Sequence, residues 1–441
     1  MADETIIFPM GDDTGKLIVS ELAKQNGILA KMANTTAKGA LLEDWSEVAS
    51  LVRSGLAPTF LPVETHTNVK YVDSRPDNST EYDARWNFVH HGMGSLDDGE
   101  TIPVAMIQMH HCLPFDTPFS PAQAFLKAVT VIPAGTYNIK MGFSWGTNVK
   151  ANKYYQFTLT HDLPAGGQLA GFTGAPDQNP ANWRVYAFAS DTATAATETC
   201  VVTEGSGGTN LGTFTDAGEV VVPASGTPAT VKTVGSIKFY GLNSLHRVAY
   251  GNNRWLHSPL RQFLNSVGTG WWHPKTVFDR PPAYATYEGF LSGLPEDFVE
   301  AMQPIAQVSA ISYLCDGGTS GAPEYDTTYD KVFLPSGKQH NLQPNAAYGG
   351  AAGLEGDAWE YWQRVAGSST PLPWSTSGNQ ATYHPEYVQY DLAAQTTARS
   401  CWMRSAYRGS GNYVAYVTAT GLCSSHYASY GYRAAAACAI G

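Results

Sequence analysis

Hydrophobic and polar positions change their period several times along the chain. Between residues 14 and 35, Ile18, Leu22, Leu29 and Met32 recur at spacings of three and four, which predicts a helix capped by Asp13 or Thr14. Gln25 fills the remaining core slot and Gly27 weakens the stretch. Two heptads admit a short coiled coil or a plain surface helix, and we read the stretch as an oligomerising stem. A second helix follows. Asp44-Trp45-Ser46-Glu47 has capping-box spacing, Val48, Leu51 and Val52 form an apolar face, and Gly55 stops it.

From about 60 to 232 the pattern becomes that of strands. Thr136–Phe143 alternates after a Pro-Ala-Gly turn, and Tyr155–Thr160 alternates again. Glu219–Val222 and Ala229–Val234 are further candidates. Short strands between Gly, Pro, Asn and Asp clusters predict a β-sandwich, with loops over 163–185 and 204–217.

Beyond about 236, short helices alternate with aromatic-rich irregular chain. Ser258-Pro259 is an N-cap followed by proline at the first helical position, with Leu260, Phe263 and Leu264 on one face. Pro295-Glu296-Asp297 opens another helix with acids in its first turn. Asp357-Ala358-Trp359-Glu360 repeats the capping-box spacing ahead of Tyr361, Trp362 and Val365. The last forty residues return to short strands at Tyr413–Thr418, Ala428–Tyr432 and Ala434–Ile440. No solenoid or propeller period is present.

Composition narrows the classes. Charged residues are only 15% of 441 and the net charge is −11, which speaks against general nucleic-acid binding. No acid follows Asp391, so the last fifty residues are mildly basic. Six cysteines, at 112, 200, 315, 401, 423 and 438, form no CxxC pair. They read as small hydrophobes of a protein made in a reducing cytoplasm. The acidic start lacks the form of a secretory signal, and no run of apolar residues is long enough to span a membrane.

Chemistry-bearing patterns are sparse. In His90-His91 and His110-His111-Cys112, adjacent residues on a strand face opposite ways, so neither group is spaced to chelate a metal. There is no G-x-S-x-G elbow, P-loop or dinucleotide fingerprint. Asp97-Asp98-Gly99-Glu100 reads as a solvated turn. No cofactor is indicated.

The most unusual stretch is 407–432, in which Tyr, Ser and Gly supply 14 of 26 residues. That is the composition of an antibody-like binding surface. Tyrosine gives large amphipathic contact area, while Ser, Gly and Asn adapt their hydrogen bonds. A core would use Val, Ile, Leu and Phe instead, because every buried tyrosine hydroxyl needs a partner. The candidate ligand-binding residues are Tyr407, Ser410, Asn412, Tyr413, Tyr416, Ser424, Ser425, His426, Tyr427, Ser429, Tyr430 and Tyr432.

Trp402-Met403-Arg404-Ser405, this tyrosine-rich run and Tyr432–Cys438 together resemble the C-terminus of variable proteins of diversity-generating retroelements, in the members carried by phages and prophages of gut bacteria. Arg247–Trp255, Arg261–Ser266, Trp271-Trp272, Phe278–Pro281, Gly289–Leu294 and Asp330–Ser336 are similar to that family's segments in order. Leu51–Gly55 and Thr136–Asn138 are similar to its amino-terminal portion. The resemblance implies a C-type-lectin-like fold in which a fixed scaffold displays hypermutated side chains. The same fold serves formylglycine-generating enzymes, which need paired reactive cysteines, whereas Cys401, Cys423 and Cys438 stand singly in sequence. Calcium-dependent lectins of the fold hold their ion through a Pro-centred motif, to which Gln343-Pro344-Asn345 has a faint likeness without supporting carboxylates.

The expectation is thus an α+β protein: a helical N-terminal attachment and oligomerisation segment over 1–58, a β-sandwich-type region over 59–235, and a C-type-lectin-like domain over 236–441 with a variable region at about 400–441. Its expected role is that of a phage receptor-binding protein, not an enzyme. It would act at the virion or tail surface, as a homo-oligomer (a trimer), beside other virion proteins. Its partner would be a bacterial surface protein or glycan, with neither nucleic acid nor membrane involved. The alternatives are a formylglycine-generating-type or glycan-cleaving enzyme, and a purely structural virion protein.

Overall fold

The computed structural model describes residues 44–441 except 143, 145–146, 171–183, 189–197, 206, 215–219, 222–232, 235–241, 276–278, 313–324, 351 and 376–382. The expected helix at 14–35 lies outside the described residues. The next helix is α1, Trp45–Arg53. Asp44 caps it by accepting from the Ser46 N–H (2.8 Å). Its buried face carries Trp45, Val48, Ala49, Leu51 and Val52, and Gly55 ends it at φ +71°. A single turn, α2 (Ala57–Phe60), follows.

Strands β1 (His66–Val72), β2 (Glu81–Ser95), β3 (Thr101–Met109) and β4 (His111–Cys112) come next. β2 and β3 form a long hairpin in register from Trp86↔Met109 to Ser95↔Thr101. Its tip is the acidic turn, where the Glu100 N–H bonds the Asp98 carboxylate. A bulge between Phe88 and His90 breaks the alternation, and Phe88 and Val89 are both buried there.

A second body begins at residue 124. One of its sheets joins β5 (Ala124–Ala128), β8 (Gln168–Ala170), β9 (Arg184–Phe188), β10 (Glu198–Val201) and β14 (Thr233–Val234). The other joins β6 (Gly135–Met141), β7 (Tyr154–Leu159), β11 (Thr203–Glu204), β12 (Thr209–Phe214) and β13 (Val220–Val221). Phe125, Leu126, Leu169 and Val185 of the first meet Tyr137, Ile139, Phe157 and Leu159 of the second in one core. Helix α3 (Leu242–Tyr250) adds Val248, Ala249 and Tyr250 to it.

The chain then returns to the first body. Helices α4 (Pro259–Leu264), α5 (Glu296–Ala301) and α6 (Glu360–Val365) line it. Ser258 caps α4 by accepting from the Leu260 N–H, and Pro259, Leu260, Phe263 and Leu264 are buried. Helix α6 starts later than the spacing at Asp357 suggests, because Trp359 is its N-cap. Trp359 is buried in the core, with its N–H bonded to the Gln339 carbonyl, and this holds it extended. Strands β15 (Ile305–Ala310), β16 (Tyr325–Asp330), β17 (Val332–Phe333), β18 (Gln389–Asp391), β19 (Ala398–Arg399), β20 (Cys401–Ala406), β21 (Tyr413–Val417), β22 (Cys423–Tyr427) and β23 (Ala437–Ile440) complete the fold.

The main sheet runs β1-β2-β3-β23-β17. The last strand therefore pairs with β3, Cys438 opposite Ile107, and Arg53 of α1 reaches the carbonyl of Gly441 (3.1 Å). Trp45 packs on Phe298 of α5. The divisions expected from the sequence fall at 58/59 and 235/236. Residues from 45 to 119 share one core with residues from 255 to 440, and the two-sheet body begins only at about 124. The fold is α+β.

Candidate ligand-binding surface

The tyrosine-rich run forms an antiparallel sheet, β20-β21-β22, with β22 as its last strand. The pairs Tyr413↔Tyr427 and Ala415↔Ser425 lie on one face, and Val414↔His426 and Tyr416↔Ser424 on the other. β20 is buried throughout. It anchors the sheet through Trp402, whose indole N–H donates to the Thr117 carbonyl (3.0 Å), and through Arg404.

Arg404 is 1% exposed. It donates to the carbonyls of Leu334, Val308 and Glu355 and to Gln339 Oε1. The buried Glu355 carboxylate accepts from Ala310 N and Ser405 Oγ. Burial raises the Glu355 carboxyl against the opposing pull of Arg404. It lowers Arg404 to about 10.

On one face an aromatic row crosses the sheet. Tyr250 stacks on Tyr427 (ring centroids 3.7 Å apart), Tyr427 meets Tyr413, Tyr413 meets Tyr407, Tyr407 meets Tyr348, and Tyr348 stacks on Trp374 at 4.2 Å. On the other, Tyr432 stacks on Tyr416 (4.7 Å) and touches Trp402, while His426 contacts Tyr430 at 4.1 Å. His426 and Tyr430 each contact Tyr427, which joins the two groups. Ser424, Ser425, His426, Tyr427 and Ser429 are half-buried, as are Tyr407, Tyr413 and Tyr432, and Tyr430 is 45% exposed.

Three of the expected residues are not on the surface. Ser410 and Asn412 are buried, with the Ser410 hydroxyl donating to the Asn412 side-chain oxygen. They shape the turn between β20 and β21. Asn253, 1% exposed, faces that turn with its amide nitrogen 2.7 Å from the Ser410 carbonyl and 2.8 Å from that of Tyr413. Tyr416 is 8% exposed because Tyr432 and Trp402 cover it. Ala428–Tyr432 is a turn rather than the expected strand. The Ala428 N–H bonds the Asn412 carbonyl and the Ser429 N–H bonds that of Tyr250, which draws the chain off the ladder.

Sequence reasoning missed Tyr250, Tyr348 and Trp374. Only Tyr250 carried a signal, within the segment 247–255. Its place follows from Gly251 at φ +81°, where a Cβ would lie 2.2 Å from the Ser120 carbonyl oxygen. Asn345 uses its side-chain oxygen to cap the N–H groups of Ala347 and Tyr348. It positions Tyr348, whose hydroxyl is 3.1 Å from Ser425 Oγ.

The run itself brings almost no charge to the surface, and the exposed Asp116 carboxylate beside Gly431 is paired with Arg433. Within 407–432 the one charged residue is Arg408, which is buried and bonded to the Ile311 carbonyl. Burial lowers His426, and its Nδ1 accepts from the Tyr427 N–H, so the ring is neutral near pH 7. Burial also raises the Tyr413, Tyr416 and Tyr432 hydroxyls, which remain protonated. Such a face can stack on flat or apolar groups and exchange hydrogen bonds, and its own side chains offer no steering charge. Among the described residues no group of three or more His, Cys, Asp or Glu is placed to hold a metal ion. No helix among them is long and apolar enough to cross a membrane.

Residues 236–439 match the model of a family described as a domain of unknown function, DUF6273. That span carries the whole tyrosine surface. No curated protein and no solved structure matches the chain.

Proposed function

We propose that this chain is a phage-borne ligand-binding protein whose fixed scaffold displays the neutral Tyr/Ser/His surface of β21, β22 and the following turn. Its C-terminal part is read as C-type-lectin-like, as the resemblance to retroelement variable proteins implies. It acts by binding rather than by chemistry, at the virion or tail surface, on a protein or glycan of a bacterial surface. A homo-oligomer, a trimer in this reading, multiplies modest contacts into avidity.

One observation carries the reading. The half-buried tyrosines, serines and His426 gather at the last strand of a sheet whose first strand is wholly buried. Side chains at such an edge can be exchanged while Arg404 and Asn253 beneath them keep their buried hydrogen bonds.

The test is to sequence codons 400–441 across a population of the carrying phage or lysogen. Amino-acid changes are expected at 407, 413, 424–427, 429, 430 and 432, with Trp402, Arg404, Ser410, Asn412 and Arg433 unchanged. Changes falling equally on the buried and surface sets, or a uniform 3′ end, would overturn the reading of a diversified surface.

A further inference from the structure

Two of the buried thiols lie together, away from the tyrosine surface. Cys112 is on β4, which pairs in parallel with β18 so that Cys112 lies opposite Asp391. β18 pairs in turn with β19, and β19 ends at Arg399, two residues before Cys401. From the other side, both cysteines flank the segment after Tyr432. The Leu113 N–H bonds the Ala434 carbonyl, and Cys401 pairs with Arg433. Cys112, Cys401 and Ala435 form a small buried cluster of their own, separate from both large cores. The two side chains are in contact within that cluster, and the Cys112 thiol disfavours ionisation of Cys401. Cys112 Sγ also lies 3.3 Å from the Tyr390 carbonyl oxygen and Cys401 Sγ 3.9 Å from that of Arg399. Cys423 and Cys438 are buried in the large core instead.

We propose that Cys112 and Cys401 are a latent disulfide, open in a reducing compartment and closed by a low-molecular-weight disulfide in an oxidising one. One thiol, as its thiolate, attacks the small disulfide, forming a mixed disulfide and releasing one small thiol. The second thiolate attacks the protein sulfur of that mixed disulfide and releases the other. The protein pair loses two protons and two electrons, and the small disulfide is reduced to two thiols. Burial pushes the Cys401 thiol far up, so thiolate is scarce in the folded protein and closure accompanies folding. The bond ties the N-terminal strands to β20, the buried strand beneath the tyrosine surface. It closes a loop of roughly 290 residues, a length at which cross-linking constrains the unfolded chain strongly.

The experiment refolds the full chain in a buffer of oxidised and reduced glutathione and, separately, in dithiothreitol. In the glutathione buffer, titratable thiols are expected to fall from six to four. A non-reducing peptide map should join the Cys112 and Cys401 peptides, and Tm should rise by several degrees, reversed by dithiothreitol. Cys438→Ala should keep the rise, and the double variant Cys112→Ala/Cys401→Ala should lose it. Six thiols remaining in the wild-type chain, or a map joining other cysteines, would overturn the proposal; both readouts hold even where a variant fails to fold.

Discussion

Tyr250 and Tyr427 lie face to face, their ring centroids 3.7 Å apart and their planes 7° from parallel. Tyr250 belongs to the core of the two-sheet body, and Tyr427 packs against that core from β22. The two-sheet body therefore buttresses the tyrosine surface rather than merely preceding it in sequence. The Ser429 N–H on the Tyr250 carbonyl (2.8 Å) reinforces the joint.

Removing one ring should loosen this joint. Tyr427→Ala loses the stacking and part of a buried aromatic surface, and should destabilise the protein by about 2–3 kcal/mol in urea unfolding. Tyr427→Phe keeps all four ring contacts, with Tyr250, Tyr413, His426 and Tyr430, and should stay within about 0.5 kcal/mol of the wild type. Equal losses for the two variants would mean that the hydroxyl, not the stack, holds the joint.

Asn253 acts on the same surface from below. Its amide nitrogen faces the carbonyls of Tyr407, Ser410 and Tyr413, and its own N–H bonds the Gly411 carbonyl. Asn253→Ala leaves those buried carbonyls short of donors and should cost about 2–4 kcal/mol. Asn253→Asp should cost more, since it sets a carboxylate against carbonyl oxygens in a buried site. Urea midpoints of the three proteins give the order.

Glu355 and Arg404 support the sheet electrostatically. Glu355→Ala strips the partners from Ala310 N and Ser405 Oγ, leaves Arg404 with only Asp330 acting as counter-charge, and should cost about 3–5 kcal/mol. Arg404→Lys cannot span Leu334, Val308, Gln339 and Glu355 from one ammonium, and should cost at least about 2 kcal/mol. Glu355→Gln keeps an acceptor for Ala310 N, and should lie well short of the alanine variant. Thermal unfolding at neutral pH separates the three.

Local chemistry was legible and long-range pairing was not. Asp44 before Trp45–Arg53, and Ser258-Pro259 before Leu260–Leu264, specify helices through groups within one turn, so they could be read directly. The pairing of Cys438 with Ile107 leaves no local mark, because each strand is a short apolar run whose partner lies more than 300 residues away. For the same reason nothing in the sequence announces that one sheet joins strands before and after the two-sheet body. At the surface, the types of side chain were readable from 407–432, but their depth was not. Ser410 and Asn412 look like paratope residues by composition, yet they are consumed by the turn that Asn253 holds. Tyr348 and Trp374 come from loops whose sequence gives no sign that they stack on each other or that Tyr348 meets Tyr407.

Acid should weaken the fold through its buried histidines, His340 foremost. This residue is 5% exposed, its Nδ1–H donates to the Ser336 carbonyl (3.1 Å), and its ring lies 4.6 Å from that of Trp362. Burial holds its pKa down to about 4, against 6.5 ordinarily. The unfolded chain thus takes up a proton that the folded chain refuses between these values, so stability is full above about pH 6.5 and is lost as pH falls toward 4. The loss from His340 alone is of order 3 kcal/mol. His110 and His246, also held to about 4 by burial, act with the same sign. The raised Glu355 carboxyl acts oppositely, gaining stability as it protonates. His340→Asn can return a donor to the Ser336 carbonyl without titrating. Its guanidinium midpoint should therefore fall less steeply than that of the wild type between pH 6.5 and 4.5. Parallel curves for the two proteins would mean that His340 already protonates within the fold.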